Sequence, residues 1–467
     1  DLVARELARV RADHGNQSIY GGSYGWGSSG RFHQPSNQIY RFLRLLGGYT
    51  DAKGTYSGSA AEAIVPHVLG MGYHAAVAAQ TSWSVIAEHT ELFVAFGGLR
   101  LSNAQVTFGG SGPHHTKDWL ARCTNTEFVS VSPLADDGAD FVDPRWMAIR
   151  PGTDVALMAG LLHTLIVENL VDEATIEKYC HGWSHLRDDL LGRGSAPART
   201  AEWAAEVCGV EPGAIEALAR EMASRRTMVS VSLSIQRGDH GEQSYWMAIA
   251  LACALGGIGR PGEGFALGFG ANGNAGAGQR RKRIPGPPIP AQHPDMPVIS
   301  VSRVVELLEE PGAPFHFNGV TDTFPDIKLV YWAGGNIFHH HQDLNRLRQA
   351  WQRPETIVVH EPFWTPMARF ADIVLPATTP LERNDLGGAE TILLAMGAAL
   401  PPQGQAKDDY AIFAHLAERL GLAAEFTQGR TADAWVEHLY EQFRADNPYS
   451  PPFEEFWEAG QLPHPDM

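Results

Sequence analysis

Short β-branched runs that end in Gly, Ser, Pro or His loops and lead into helical patterns constrain this chain more than anything else. "EFVSVSP" (127–133), "TMVSVSLSI" (227–235), "KLVYWAGG" (328–335), "TIVVHEP" (356–362) and "ADIVLPA" (371–377) read as buried strands. Apolar residues at 3.6-residue spacing predict helices over about 154–169, 212–225, 242–256, 409–421 and 432–446. Strands alternating with helices imply an α/β fold: parallel sheets flanked by helices on both faces. The expectation is two α/β units, divided in chain order as 1–130, which can be discontinuous with later segments, 131–270 and 271–467. A long Gly/Pro-rich excursion opens the last of these regions. Ligands in such sheets bind outside the carboxyl ends of the strands, where the loops gather.

Charge excludes several classes of partner. A net charge of −17, from 53 acidic and 36 basic residues, argues against nucleic acid and anionic membrane. The one basic run, Arg280, Arg281, Lys282 and Arg283, sits in the Gly/Pro-rich stretch and reads as solvent-facing. Cys123, Cys180, Cys208 and Cys253 include no CxxC pair, so neither an iron–sulfur cluster nor a zinc knot is expected. "MAIALACALGGIG" (247–259) is too short to span a bilayer, so no integral membrane segment and a soluble chain are expected. Any targeting peptide would lie outside these residues.

Several motifs carry chemistry or imitate it. "GFGANG" (268–273) matches GxGxxG but reads as lacking a strand before it and a helix after it, which argues against a nicotinamide dinucleotide fold. There is no GxSxG elbow. His339, His340 and His341 are consecutive, so their side chains diverge and do not read as one metal site. Two strand-to-helix openings suit phosphate: Gly334, Gly335 and Asn336 before a helix from about Asp343, and "RPGTD" (150–154) with Thr153 as N-cap. In "GTYSGSAAEAI", Ser59 and Glu62 form a capping-box pattern that makes Ser59 the expected N-cap and leaves Ser57 unemployed. A hydroxyl at that place is either an ordinary turn serine or a hard oxygen donor for an oxidised early transition metal.

"IYGGSYGWGSSGRFH", "GGYTDAKGTYSGSAAEAIVPHVLG", "IRPGTDVALM", "SIQRGDHGEQSYWM", "VYWAGGNIFHHHQDLNRL" and "VVHEPFWTPMARFADIVLPATTPLERND" follow one another from about residue 17 to about 390. Together they resemble motifs of the molybdopterin oxidoreductases of the dimethyl sulfoxide reductase family. The likeness is to the serine-ligated branch, which reduces biotin sulfoxide, dimethyl sulfoxide and trimethylamine-N-oxide. The resemblance implies molybdenum held by bis(molybdopterin guanine dinucleotide) and one protein side chain, here Ser57. It implies a bacterial two-electron oxygen-atom transfer from an S-oxide (methionine sulfoxide included) or N-oxide, in periplasm or cytoplasm. Electrons would come from a c-type cytochrome or a reductase or thioredoxin-like donor.

By the same resemblance Tyr24 donates a hydrogen bond to the substrate oxygen, and Trp26 walls the pocket and touches the cofactor. Ser132, Arg150, Gly152 and Asp154 would meet one nucleotide end, and Arg237, His240 and Gln243 the pterin or the funnel. Trp332, Gly334, Gly335, Asn336, His340 and Gln342, with His360, Glu361 and Asp372, would form the other nucleotide site. The resemblance also implies metal-pocket loops in region 1–130, nucleotide binding by 131–270 and 271–467, and a cofactor cleft between the two α/β units, with the glycines around Tyr24 and Trp26 letting main chain wrap the cofactor. The family commonly has proline where Ile337 stands. It also has an N-terminal segment and a C-terminal barrel domain that do not lie within these residues, so the alternative expectation is a truncated cofactor-binding module without independent turnover.

Overall fold

The computed structural model describes residues 1–24, 30–105, 114–271, 273, 275–276, 284–389 and 392–464. Strands follow in the order β1 (Ile19–Gly22), β2 (Thr50–Lys53), β3 (Leu92–Phe96), β4 (Glu127–Ser132), β5 (Arg145–Ala148), β6 (Thr227–Val231), β7 (Gly264–Leu267) and β8 (Val298–Ser300). Then come β9 (Pro314–Phe317), β10 (Val320–Thr323), β11 (Leu329–Ala333), β12 (Thr356–Glu361), β13 (Ile373–Pro376), β14 (Asp385–Ala389), β15 (Ile392–Met396) and β16 (Gln461–Pro463).

Two compact units result. One holds Asp1–Tyr56 and Arg281–Asp466, the other Ser57–Thr107 and His114–Arg280. The boundary expected near residue 130 is therefore corrected: it falls inside β4, in the middle of a sheet. Sheet pairing, which joins segments far apart in the chain, interleaves the units.

The first unit is built on a parallel sheet ordered β13-β12-β11-β1-β2-β8. β11 shows why its apolar run is unbroken. Leu329, Tyr331 and Ala333 enter one core with Phe42 and Phe413, while Val330 and Trp332 enter another with Leu307 and Leu347. Side chains alternate across a strand, so a sheet covered on both faces needs apolar residues at every position. A hairpin of β9 and β10 and a small antiparallel sheet of β14, β15 and β16 complete this unit.

The second unit repeats the plan with a parallel sheet ordered β5-β4-β3-β6-β7. Leu92, Val94 and Phe96 of β3 pack under the helix Asp154–Val167, and Phe93 and Ala95 pack against Trp83 and Leu120. That helix is apolar nearly all round because the helices Ala201–Cys208, Pro212–Ser224 and Glu242–Ala254 pack against it. Gly160 allows the closest approach: a Cβ there would lie 2.7 Å from the Ala204 Cβ.

All five expected strands and all five expected helices are present, with ends shifted by a few residues. "GFGANG" does follow a strand, β7, against the sequence reading, although no described helix follows it. Among the described residues no helix is long and apolar enough to cross a membrane. The basic run 280–283, expected to face solvent, lies outside the described residues.

Candidate active site

In the first unit β1 and β11 run side by side and end together, with Gly22 level with Trp332. The chain leaving β1 docks on the chain leaving β11: Tyr24 N donates to the Gly334 carbonyl at 2.9 Å, and the Ser23 hydroxyl donates to the same oxygen at 3.3 Å. Gly334 and Gly335 both have left-handed backbones, φ +76° and +79°. A Cβ on Gly335 would stand 2.5 Å from the Tyr24 Cβ. These glycines thus admit protein neighbours, Pro35 and Tyr24, where the sequence reading had them admitting a ligand. Gly21 and Gly22 follow the same logic: side chains there would run into Leu43 and into the Trp332 ring. Trp26 lies outside the described residues.

Tyr24 is the centre of an aromatic cluster. Its ring meets Trp332 edge-on at 4.9 Å, His340 at 5.3 Å and Tyr56 at 5.6 Å. Among the described residues the Tyr24 hydroxyl is sealed from solvent and has no acceptor in regular hydrogen-bond geometry, the Tyr56 hydroxyl being its polar neighbour, and Trp332 Nε1 and Asn336 Nδ2 are likewise unpaired. Burial, reinforced by neighbouring tyrosines, pushes the Tyr24 hydroxyl far above the ordinary tyrosine range, so it keeps its proton. Asn336 uses its Oδ1 to cap the helix Ile337–His340 at Phe338 N, 3.1 Å, leaving only donors unspent.

Tyr56 precedes Ser57 and is held firmly. Its hydroxyl donates to the Val301 carbonyl at 2.6 Å, meets His341 Nδ1 at 2.9 Å, and its ring stacks on His340 at 5.8 Å. His340 and His341 therefore serve two different faces of one tyrosine. Among the described residues, no group of three or more His, Cys, Asp or Glu is arranged to hold a metal ion. Gln342 is exposed on the bend that follows.

Ser57 is half-buried in the turn before the helix Ser59–Leu69, and among the described residues its hydroxyl takes no hydrogen bond. The expected capping box is corrected here. Gly58 is the N-cap, Ser59 is already helical, and no side chain caps from that position. The helix start is instead supported by Gln236, whose Oε1 accepts from Ala61 N at 2.9 Å. Sequence reading missed Gln236 because its partner lies 175 residues away. No local pattern signals such a cap.

In the second unit the expected nucleotide residues divide. Asp154 opens its helix with a buried carboxyl that burial pushes up to about 6. Gly152 has φ +76° and open space where a side chain would be. Ser132 is buried and committed, donating to Asp137 Oδ2 at 2.5 Å. Arg150 reaches the carbonyls of Glu206 and Val207 at 2.6 and 3.1 Å, closing the end of the helix Ala201–Cys208. Arg237, His240 and Gln243 are exposed after β6, and His240 has φ +54°.

Of the residues expected at the other nucleotide site, Asp372 is placed elsewhere and His360, level with Ala333 at the carboxyl ends of the strands, is spent on internal partners. Asp372 lies at the amino end of β13, where its carboxylate accepts from Ile357 N at 2.8 Å, at the sheet edge opposite the loops. His360 is buried with both nitrogens engaged, Nε2 with the Tyr331 hydroxyl at 2.9 Å and Nδ1 with Asp409 at 2.8 Å. Its neighbour Glu361 stays at the carboxyl end of β12, accepts from the Thr365 hydroxyl, and is raised by burial.

A family model described as molybdopterin oxidoreductase matches residues 1–419. The chain belongs to the molybdopterin oxidoreductase family. Such membership implies molybdenum carried by molybdopterin. Biotin sulfoxide reductase of Cereibacter sphaeroides is 44% identical over 100% of this chain and 63% of its own length. Dimethyl sulfoxide/trimethylamine N-oxide reductase of Rhodobacter capsulatus is 40% identical over 100% of this chain and 58% of its own. Trimethylamine-N-oxide reductase of Haemophilus influenzae is 37% identical, with 98% and 58% covered. The chain thus spans 58 to 63% of the length of these relatives. Acetylene hydratase from Pelobacter acetylenicus shares the fold of this molybdopterin oxidoreductase chain, with a TM-score of 0.62 at 18% identity over 99% of this chain and 63% of that one.

Proposed function

We propose that this chain carries the metal and dinucleotide sites of an S-oxide or N-oxide reductase. In this reading Ser57 ligates molybdenum and Tyr24 donates a hydrogen bond to the substrate oxygen. One observation carries it: a tyrosine hydroxyl sealed from water, held protonated and, among the described residues, with no acceptor in regular hydrogen-bond geometry beyond the neighbouring Tyr56 oxygen. A buried donor left unsatisfied is costly and rare, so it points to an acceptor that a bound group would bring.

The residues fit bis(molybdopterin guanine dinucleotide). Tyr24 Oη, Trp332 Nε1 and Asn336 Nδ2 are unspent donors, suited to an anionic and acceptor-rich ligand. Asp154 offers the complementary acceptor for a guanine's amidine edge, and Gly152 beside it leaves room. Gly334, Gly335 and Glu361 belong to the second dinucleotide in this reading, with His340 beside the aromatic cluster. The Ser57 hydroxyl, which takes no hydrogen bond among the described residues, is available as a hard oxygen ligand.

When bound, the group supplies the two-electron chemistry that removes oxygen from the substrate. Tyr24 then orients that oxygen and stabilises the charge that gathers on it, as a fixed donor in a site closed to water. The Trp332 and Tyr56 rings hold Tyr24 in place, so the donor needs no rearrangement during reaction.

Full-length enzyme prepared with molybdate provides the test. Ser57→Ala should abolish sulfoxide reduction and change the visible absorption of the metal centre. Wild-type turnover with stoichiometric molybdenum would refute the assignment. A purified chain that binds cofactor but turns nothing over would favour the module reading.

A further inference from the structure

We infer that Gln236 is a positioning residue for Ser57; the inference rests on the reading of Ser57 as metal ligand. Gly58, as N-cap, has no side chain to satisfy the first amides of the helix Ser59–Leu69. Gln236 does so from the loop after β6, accepting from Ala61 N at 2.9 Å. Ala61 lies four positions after Ser57, and the Glu62 N to Gly58 carbonyl bond of 3.0 Å closes the first helical turn directly after Ser57. Pinning Ala61 therefore fixes where the chain emerges at Ser57.

The direction of this contact is locked. Tyr245 has one hydroxyl proton, which goes to the Ser232 carbonyl at 3.0 Å. Its oxygen must then accept from Gln236 Nε2, 2.9 Å away, which turns Gln236 Oε1 toward Ala61. Gln236, Tyr245 and Ala61 are all buried, so water cannot replace any of these bonds. The loop is closed tightly around the glutamine: a side chain at Gly241 would collide with the Gln236 carbonyl. Ser232, Gln236 and Tyr245 thus form a relay from the end of β6 to the turn that carries Ser57.

The relay assigns a role that a merely structural hydrogen bond would not have. Gln236→Leu removes the acceptor and leaves Ala61 N unpaired, so the turn samples several positions while the helix persists. In the full-length holoenzyme this variant should keep its molybdenum and its KM, lose roughly 10- to 100-fold in kcat through misplacement of the ligand, and broaden the paramagnetic resonance signal of the half-reduced metal. Gln236→Glu, whose buried carboxyl keeps its proton to donate to the Tyr245 oxygen, still presents an oxygen to Ala61 and should recover most of both. In cofactor-free protein, hydrogen exchange over 57–62 should accelerate in Gln236→Leu and not in Gln236→Glu.

A metal-loaded Gln236→Leu enzyme with native signal, kcat and exchange would overturn the inference. Should that variant not fold, Tyr245→Phe decides, since it removes the orientation lock, with the bond to the Ser232 carbonyl, and leaves the Gln236 acceptor in place: an unchanged resonance signal overturns the proposal, and a broadened one supports it. Ser57→Ala separates the two readings. A native resonance signal in Ser57→Ala defeats the ligand assignment, whereas a silent Gln236→Leu beside an altered Ser57→Ala defeats only the positioning role.

Discussion

Tyr56 and His341 share a hydrogen bond of 2.9 Å whose direction follows from a third atom. The Tyr56 proton is spent on the Val301 carbonyl at 2.6 Å, so His341 must carry its proton on Nδ1 and donate. Burial lowers the His341 pKa, which keeps the ring neutral and this arrangement intact at neutral pH. The residue bonded to Ser57 is thereby anchored by two partners of fixed polarity.

Tyr56→Phe should therefore cost about 1–3 kcal/mol, because a buried carbonyl and a ring N–H both lose their partner. Thermal or urea unfolding of the purified chain checks this, and a loss below about 0.5 kcal/mol would show that the pair is solvated.

At Gly335 the outcome depends on sterics alone. Alanine there has to adopt φ +79° and meet Tyr24 with its Cβ at 2.5 Å. Gly335→Ala should destabilise by about 1–3 kcal/mol and displace Tyr24. Gly152→Ala, with open space around its Cβ, should lose only the smaller backbone strain. Comparing the two melting temperatures separates the effects.

Asp154 predicts a pH-dependent gain. Burial raises its carboxyl from an ordinary 3.8 to about 6. A raised carboxyl contributes stability below the unfolded pKa and loses it as pH rises through the folded value. In cofactor-free chain at pH 7 to 8, Asp154→Asn should thus stabilise by about 1–3 kcal/mol, with the gain vanishing below about pH 4. Urea titrations at both pH values test this. The same substitution should weaken dinucleotide binding.

His33 predicts the opposite slope. Its ring is buried and, with Arg383 adding to the effect, its pKa falls well below 6.5. The unfolded chain then binds the proton first, so stability falls as pH drops below about 6.5. Asp408, with Oδ1 3.6 Å from His33 Nδ1, is placed to relieve a charged ring. His33→Gln should flatten the acid side of the stability curve, and an unchanged slope from pH 6.5 to 5 would assign that slope to other groups.

Much of the scaffold was legible from residue pattern. β4, β6, β11 and β12 are covered on both faces, and a run such as Leu329–Ala333 has no other economical reading than a buried strand. The helices at 154, 212, 242, 409 and 432 likewise start near their expected residues. β1 escaped notice: four residues, two of them glycine, carry too little periodicity.

Sequence alone determined the alternation of strands and helices, because these reside in neighbouring residues and their spacing, and Ser57 entered as a candidate ligand only through the likeness of whole motifs to a family. Tertiary structure alone decided which segments share a sheet, that Asp372 lies at the far edge, that His360 is satisfied internally, and that Gln236 replaces the expected capping box. The physical reason is that hydrogen-bond partners are chosen by proximity in space. Gln236 and Ala61 are 175 residues apart, and only the packed fold brings an acceptor to that amide.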